Sequence, residues 1–200
     1  MRGSLEEVVE KLRRSTVQVI VDQRGGGSGI LWNADGIIVT NAHVIESVGS
    51  WDSLLVQFSN GLRVPATIER RDGNSDLAFI RVQSGAVPGG CGPAPLGDAS
   101  RLRVGELVVA VGSPLGFTGA VSSGVVHRLS GKSNVSEGFH NQPWIISQLR
   151  LAPGNSGGPL ANAEGQVVGV NTMVADGLAF SIPTHVVEQA RRHSERVWTA

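Results

Sequence analysis

Short runs of β-forming residues, separated by turn-forming residues, constrain the fold of this chain more than any other sequence feature. The runs are rich in Val, Ile and Leu, and Gly, Asn, Asp and Pro residues separate them. They lie at 17–22, 30–32, 36–40, 54–58, 62–70, 77–82, 107–111, 120–129, 144–149, 166–174 and 178–182. No helical pattern alternates with them, which argues against βαβ units. The pattern predicts an all-β barrel or sandwich.

The runs fall into two groups of similar number on either side of a Gly- and Pro-rich stretch at 84–97. Helices are expected only at the two ends of the chain. Ser4 and Glu7 form a capping-box pattern ahead of an apolar helical face, which predicts a helix over about 5–14. A second helix is expected over about 185–197.

Charge and hydropathy exclude several classes of partner. The 17 Lys and Arg residues balance the 17 Asp and Glu residues, and no long basic run occurs. Neither nucleic acid nor an anionic membrane surface is therefore an expected partner. No apolar run reaches the length of a membrane span, and the polar N-terminus does not resemble a signal peptide. We expect no membrane span and no signal sequence in this chain.

The cysteine and histidine residues predict neither a disulfide nor a metal site. Cys91 is the single cysteine, which excludes an internal disulfide, and its Gly- and Pro-rich surroundings indicate a loop without catalytic context. The five histidines lack the spacing of metal ligands. We expect no metal and no cofactor.

A serine enclosed by glycines is the strongest functional signal. Ser156 lies in Gly-Asn-Ser-Gly-Gly-Pro-Leu (154–160), where the backbone N–H groups of Gly154 and Ser156 can converge on a developing oxyanion. A serine hydroxyl needs a base and an orienting acid to act as a nucleophile. His43, in a small-residue turn after the run 36–40, is the candidate base. An aspartate between them completes the order His, Asp, Ser, which fits acyl-transfer chemistry.

The orienting acid is the least defined member of this set. The aspartates between the histidine and the serine are Asp52, Asp72, Asp76 and Asp98, and spacing alone does not choose among them. Asp76 is favoured because it directly precedes the apolar run 77–80, where a carboxylate can be shielded from water. Asp72 and Asp98 lie in turn sequences and are typical of turn or cap formers.

Two other serine mechanisms fit less well. Residues 154–158 also match G-x-S-x-G, the nucleophile elbow of α/β-hydrolases. That fold needs strand–helix alternation and an acid and a base after the serine, where only Asp176 with His185 or His193 remains. A Ser–Lys dyad is disfavoured because the only lysines are Lys11 and Lys132.

These motifs carry a family resemblance that covers nearly the whole chain in the same order. The matching segments are Gly-Ser-Gly-Ile (27–30), Thr-Asn-Ala-His-Val-Ile (40–45), Ser-Asp-Leu-Ala (75–78), Leu-Arg-Val-Gly (102–105), Gly-Ser-Pro-Leu-Gly (112–116), Gly-Asn-Ser-Gly-Gly-Pro-Leu (154–160), Val-Gly-Val-Asn-Thr (168–172) and Ala-Phe-Ser-Ile-Pro (179–183). The chain resembles the protease domain of the HtrA/Deg (DegP-like) serine proteases.

The resemblance implies an all-β, trypsin/chymotrypsin-like double six-stranded β-barrel with short N-terminal and C-terminal helices. It implies one protease domain over 1–200, with a first barrel at about 15–85, a second at about 98–183 and a C-terminal helix at 184–200. HtrA proteins commonly continue into one or more PDZ domains, and we expect none in this sequence, either because such domains were trimmed away or because this is a stand-alone protease domain.

By the same resemblance, the chain is a serine endopeptidase that cleaves unfolded or misfolded proteins in protein quality control. The triad would be His43, Asp76 and Ser156, and the oxyanion hole the backbone at Gly154, Asn155 and Ser156. The resemblance implies no cofactor, a homo-oligomer (a trimer) and an extracytoplasmic location. The alternative is a catalytically latent protein that binds peptides on the same fold.

The resemblance also points to substrate-binding and regulatory segments. The expected specificity pocket is lined by Arg150, Leu151, Asn171, Thr172 and Met173. Apolar side chains there suggest a small or medium aliphatic residue before the cleaved bond. Arg150 would instead favour acidic residues if it formed the pocket floor, and would have no such effect if it pointed to solvent. The uncharged Asn155 argues against activation by N-terminal clipping, and 130–142 is a candidate sensor loop.

Overall fold

Antiparallel strands close into two barrels in the computed structural model, which describes residues 4–21, 25–49, 54–83, 85–131 and 142–195. Within these residues each barrel has six strands. The strands of the first barrel are β1 (Thr16–Val21), β2 (Gly25–Leu31), β3 (Ile37–Asn41), β4 (Leu54–Gln57), β5 (Arg63–Asp72) and β6 (Leu77–Val82). Those of the second barrel are β7 (Leu107–Gly112), β8 (Ala120–Ser130), β9 (Trp144–Gln148), β10 (Pro159–Asn162), β11 (Val167–Ala175) and β12 (Leu178–Pro183). The predicted double six-stranded barrel is confirmed.

Both barrels share one strand order. The first runs β1-β2-β3-β6-β5-β4 and the second β10-β11-β12-β9-β8-β7, each closed on itself. Closure pairs each strand with two neighbours in its own barrel.

Strands β3 and β6 are buried on both faces, and this determines where the barrels meet. Ile38 and Ile80 point into the core of the first barrel. Val39 and Leu77 point the other way, into a core shared with the second barrel. Residues of both barrels and of the terminal helix α1 (Leu5–Arg13) build this shared core. It therefore joins the two barrels through apolar contact.

Two helices pack against the barrels. In α1, the Ser4 hydroxyl accepts from the Glu7 N–H at 3.3 Å, and the Glu7 carboxylate accepts from the Ser4 N–H at 3.1 Å, which confirms the predicted capping box. Helix α2 spans Thr184–Glu195. Among the described residues, no helix is long and apolar enough to cross a membrane.

Strand β10 and the first five residues of β2 (25–29) were absent from the strands expected from the sequence. Strand β10 begins at Pro159, a residue that seldom occurs inside sheets. The start of β2 is glycine-rich because the neighbouring backbone leaves no room for side chains. A Cβ at Gly27 would lie 2.6 Å from the Ser156 carbonyl oxygen. Packing against the turn at 154–158, here called the catalytic turn after the predicted role of Ser156, rather than β propensity, therefore explains this part of the strand.

We predict that Leu12→Ala destabilises the protein by about 2–5 kcal/mol because it leaves a cavity in the shared core. Leu12 is 0% exposed, whereas Leu5 on the same helix is 48% exposed. The matched control Leu5→Ala should change the free energy of unfolding by about 0.5 kcal/mol or less. Chemical denaturation of both variants measures this, and equal losses would contradict a core role for α1.

Candidate functional site

His43 and Asp76 are brought together by the pairing of β3 with β6. Asn41, the last residue of β3, lies opposite Leu77, the first residue of β6. His43 follows β3 and Asp76 precedes β6, so the two side chains meet at the same end of the strand pair. The imidazole Nδ1 of His43 lies 2.7 Å from one carboxylate oxygen of Asp76. The backbone N–H of His43 donates to the other carboxylate oxygen at 3.0 Å.

The backbone of Asp76 has a left-handed conformation, with φ of 52°. Aspartate is one of the few residues other than glycine that adopts this conformation readily. The Asp76 carbonyl accepts from the Asn41 side-chain amide at 2.9 Å and from the Ala42 N–H at 3.1 Å. Its side chain is only 12% exposed, against 44% for His43. The carboxylate is thus shielded and held against the imidazole.

The other candidate carboxylates have different roles. Asp72 accepts from the Asn74 N–H at 3.1 Å and lies 3.8 Å from the Arg70 guanidinium. Asp98 caps the short 3-10 turn Ala99–Arg101, where the Ser100 hydroxyl, as a hydrogen-bond donor, holds the pKa of Asp98 below its usual value. Asp52 lies outside the described residues.

Ser156 lies in the turn before β10, on the second-barrel side of the same interface. Its hydroxyl donates to the Thr172 carbonyl at 2.9 Å. The Thr172 hydroxyl in turn accepts from Asn41, the residue that also holds Asp76. In the described part of the chain, no hydrogen bond joins the Ser156 hydroxyl to His43. The structure therefore places all three triad candidates at one interface, with the serine turned toward β11.

Two backbone N–H groups are free to bind an oxyanion. Within the described residues, the N–H groups of Gly154 and Ser156 have no acceptor, and Gly154 has φ of 101°. The Asn155 N–H differs because it donates to the Ala152 carbonyl at 3.0 Å, as does the Asn155 side-chain amide. Both donors of Asn155 therefore hold the turn, and its contribution to the oxyanion hole stays a prediction.

Asn171 holds the catalytic turn and does not line a pocket with its side chain. It is 0% exposed, and its side-chain amide donates to the Pro159 carbonyl at 2.8 Å. Its side-chain oxygen accepts from the Ser181 hydroxyl at 3.0 Å. Its backbone carbonyl accepts from the Gly157 N–H at 2.8 Å. The Asn171 side chain therefore has a structural role, and the prediction that this residue lines the specificity pocket stays a prediction.

The other pocket candidates differ in exposure. Thr172 is buried, and the group that contacts the Ser156 hydroxyl is its backbone carbonyl. Met173 and Leu151 are half-buried, and Leu151 packs against the core of the second barrel. Arg150 is exposed. The structure thus favours the solvent-facing alternative for Arg150.

A cleft of about 740 Å³ lies between residues of the two barrels and reaches Gly154 of the catalytic turn. Residues of the first barrel line one side, and Ser113, Leu115 and Gly154 of the second barrel line the other. Among the described residues, no group of His, Cys, Asp or Glu side chains could hold a metal ion.

Two buried polar residues escaped the sequence reasoning about the site. Asn41 joins Asp76 to Thr172, and Ser28 bonds to the catalytic turn. Both are 0% exposed. A polar residue at the end of an apolar run, two positions before the candidate base, was the available signal for Asn41, and a serine between glycines was the signal for Ser28.

Comparison with known proteins agrees with the geometry. Residues 27–170 match the family profile of the trypsin-like peptidase domain. The chain is 37% identical to serine protease PepD of Mycobacterium tuberculosis, over 98% of this chain and 46% of the relative. It is 37% identical to a probable periplasmic serine endoprotease DegP-like of Pseudomonas fulva, over 80% of this chain and 33% of the relative.

A third relative is the putative serine protease HhoA of Synechocystis, at 36% identity over 84% of this chain and 41% of the relative. The chain thus spans less than half the length of these curated relatives. By its fold and these similarities, the chain belongs to the family of trypsin-like peptidases, and it is similar to serine proteases that include DegP-like ones.

Proposed function

We propose that this chain is a serine endopeptidase that works through an acyl-enzyme, with Ser156 as nucleophile, His43 as base and Asp76 as orienting acid. The observation that carries the proposal is the double contact of His43 with Asp76 on one side of the interface. On the other side lies Ser156, whose own N–H and that of Gly154 have no acceptor among the described residues. The family of the chain supports the same reaction.

The first half of the reaction follows from these contacts. Asp76 accepts a hydrogen bond from the Nδ1–H of His43, so Nε2 carries a lone pair. The Ser156 hydroxyl rotates from Thr172 toward His43, gives its proton to Nε2 and attacks the peptide carbonyl. The N–H groups of Gly154 and Ser156 bind the resulting oxyanion, and one such donor contributes about 3–4 kcal/mol to lowering the barrier.

The second half regenerates the enzyme. The protonated His43 gives its proton to the leaving amine, the C–N bond breaks and an ester to Ser156 remains. Water then loses a proton to His43 and attacks the ester. The acid product leaves, and the proton returns to the Ser156 oxygen.

A second candidate function follows from the orientation of the serine. The Ser156 hydroxyl donates to Thr172 rather than to His43, which is compatible with a latent protein that binds peptides without cleaving them. The catalytic arrangement requires the Ser156 side chain to adopt another χ1 rotamer, which turns its hydroxyl toward His43. The candidates therefore differ in whether the protein ever reaches the catalytic rotamer.

Unfolded or misfolded polypeptides are the proposed substrates, in protein quality control. The open cleft and the glycines of β2 beside the catalytic turn support an extended chain as ligand. Relatives named periplasmic support an extracytoplasmic location, and family resemblance supports a homo-oligomer, specifically a trimer. The proposed sensor loop falls mainly on 132–141, outside the described residues.

We expect Ser156→Ala to abolish labelling by a fluorophosphonate probe and to lower kcat by roughly 10⁵–10⁶-fold, because the nucleophile is lost. The matched control is Ser123→Ala, an exposed serine on β8, which should label like the unmodified protein. An intact protein that never labels would favour the latent peptide-binding function instead.

Asp76→Asn should lower kcat by roughly 10⁴-fold at neutral pH while the fold is kept. The amide stabilises the wrong imidazole tautomer, and asparagine tolerates the left-handed backbone of residue 76. Asp72→Asn, a rival carboxylate, should change kcat by no more than about twofold. Steady-state kinetics on a peptide substrate decide the assignment, and the reverse order of effects would identify Asp72 as the orienting acid.

Arg150→Ala should leave the preference for the residue before the cleaved bond unchanged, because the Arg150 side chain is exposed. Leu151→Ala should shift that preference toward larger aliphatic residues, because it enlarges the proposed pocket. Cleavage of a peptide library by both variants measures these profiles. A loss of preference for acidic residues in Arg150→Ala would place the guanidinium at the pocket floor.

A further inference from the structure

We propose that Ser28, a first-barrel residue outside the triad, is a positioning residue that holds the oxyanion hole in its active shape. The inference rests on the proposed function, because it assigns a role in the same reaction. Its basis is a set of hydrogen bonds that cross from β2 to the catalytic turn.

The Ser28 hydroxyl joins three segments of the chain. It donates to the Gly154 carbonyl at 2.7 Å and accepts from the Ser113 N–H at 2.8 Å. Ser28 itself is 0% exposed. The bond from Ser113 is buried and the bond to Gly154 is part-buried, and a buried polar group that loses its partner is costly.

Gly154 needs such support because it lacks a Cβ and has φ of 101°. The Gly154 carbonyl belongs to the peptide group between Gly154 and Asn155, and the Ser28 hydroxyl binds that carbonyl directly. The preceding peptide is held by the Leu115 N–H, which donates to the Pro153 carbonyl at 3.2 Å. Because the C=O and N–H of a trans peptide point in opposite directions, this bond aims the Gly154 N–H away from Leu115.

Ser28 also acts, through Ser113, on the peptide group between Pro153 and Gly154. Ser113 precedes the short 3-10 turn Pro114–Gly116, which carries the Leu115 N–H. The bond from the Ser113 N–H to the Ser28 hydroxyl fixes the start of that turn. One hydroxyl thus restrains the peptides on both sides of Gly154, and with them the direction of the Gly154 N–H.

The backbone of Ser28 makes separate contacts that a side-chain substitution does not remove. Its N–H donates to the Ser156 carbonyl at 2.8 Å, and its carbonyl accepts from the Thr40 hydroxyl at 2.7 Å. Ser28→Ala therefore deletes only the two hydroxyl bonds and leaves β2 attached to the turn. Space around the side chain is small, since a Cβ at Gly112 would lie 3.0 Å from the Ser28 hydroxyl oxygen.

The test compares Ser28→Ala with Ser15→Ala by steady-state kinetics on a peptide substrate, well below the melting temperature of both variants. Ser15 is 1% exposed, and its hydroxyl donates to the Leu12 carbonyl at 3.0 Å, on α1. Loss of one oxyanion donor costs roughly 10²–10³ in kcat. We expect misalignment in Ser28→Ala to lower kcat by about 10–100-fold with KM changed by no more than about twofold. Ser15→Ala should keep the kcat of the unmodified protein.

Two further measurements separate positioning from general destabilisation. A peptide boronate places a tetrahedral oxyanion in the hole, so its inhibition constant should rise in Ser28→Ala by about the factor by which kcat/KM falls. Ser28→Cys keeps a weak donor and acceptor, so its kcat should lie between those of the unmodified protein and Ser28→Ala. This variant also carries the test if Ser28→Ala does not fold.

The outcomes distinguish this inference from the proposed function. If the unmodified protein never labels with a fluorophosphonate or cleaves a peptide, the proposed function fails and the role of Ser28 fails with it. If the unmodified protein is active and Ser28→Ala has the same kcat and boronate affinity, only the role of Ser28 is overturned. A rise in KM with kcat unchanged would equally overturn it, because the serine would then affect substrate binding alone.

Discussion

The apolar contact between the two barrels is the interaction on which the rest of the structure depends. Val39 and Leu77 of the first barrel pack in one core with Val111 and Trp144 of the second, and helix α1 covers part of it. Protein interiors are close-packed and deform little. The core therefore fixes the distance between His43 and Asp76, which belong to the first barrel, and Ser156, which belongs to the second.

Apolar packing brings the barrels together, but polar bonds across the interface determine their alignment. Asn41 of β3 donates to Thr172 of β11, and Ser28 of β2 bonds to the catalytic turn. Hydrophobic contact is non-directional, whereas a buried hydrogen bond is lost when its partners shift by a fraction of an ångström. These few buried polar groups thus orient the groups proposed for catalysis.

Most of the architecture could be predicted from the sequence, and the failures have local causes. The strand runs and the capping box of α1 are visible because they depend on side chains near one another in the chain. The start of β2 and the whole of β10 were missed because glycine and proline carry no strand signal. In both places the strand exists because a neighbouring segment packs against it.

At the site, the residue types that can perform acyl transfer were evident from the sequence alone, because a glycine-flanked serine, a histidine and an aspartate at a strand entrance are local patterns. The residues with which each of these side chains interacts were not evident from the sequence. The choice of Asp76 over Asp72 or Asp98 depends on the pairing of β3 with β6, and the roles of Asn155 and Asn171 depend on hydrogen bonds within the turn and to the strands around it. Such contacts join residues that are distant along the chain, so only the closed barrels, by bringing those residues together, could decide them.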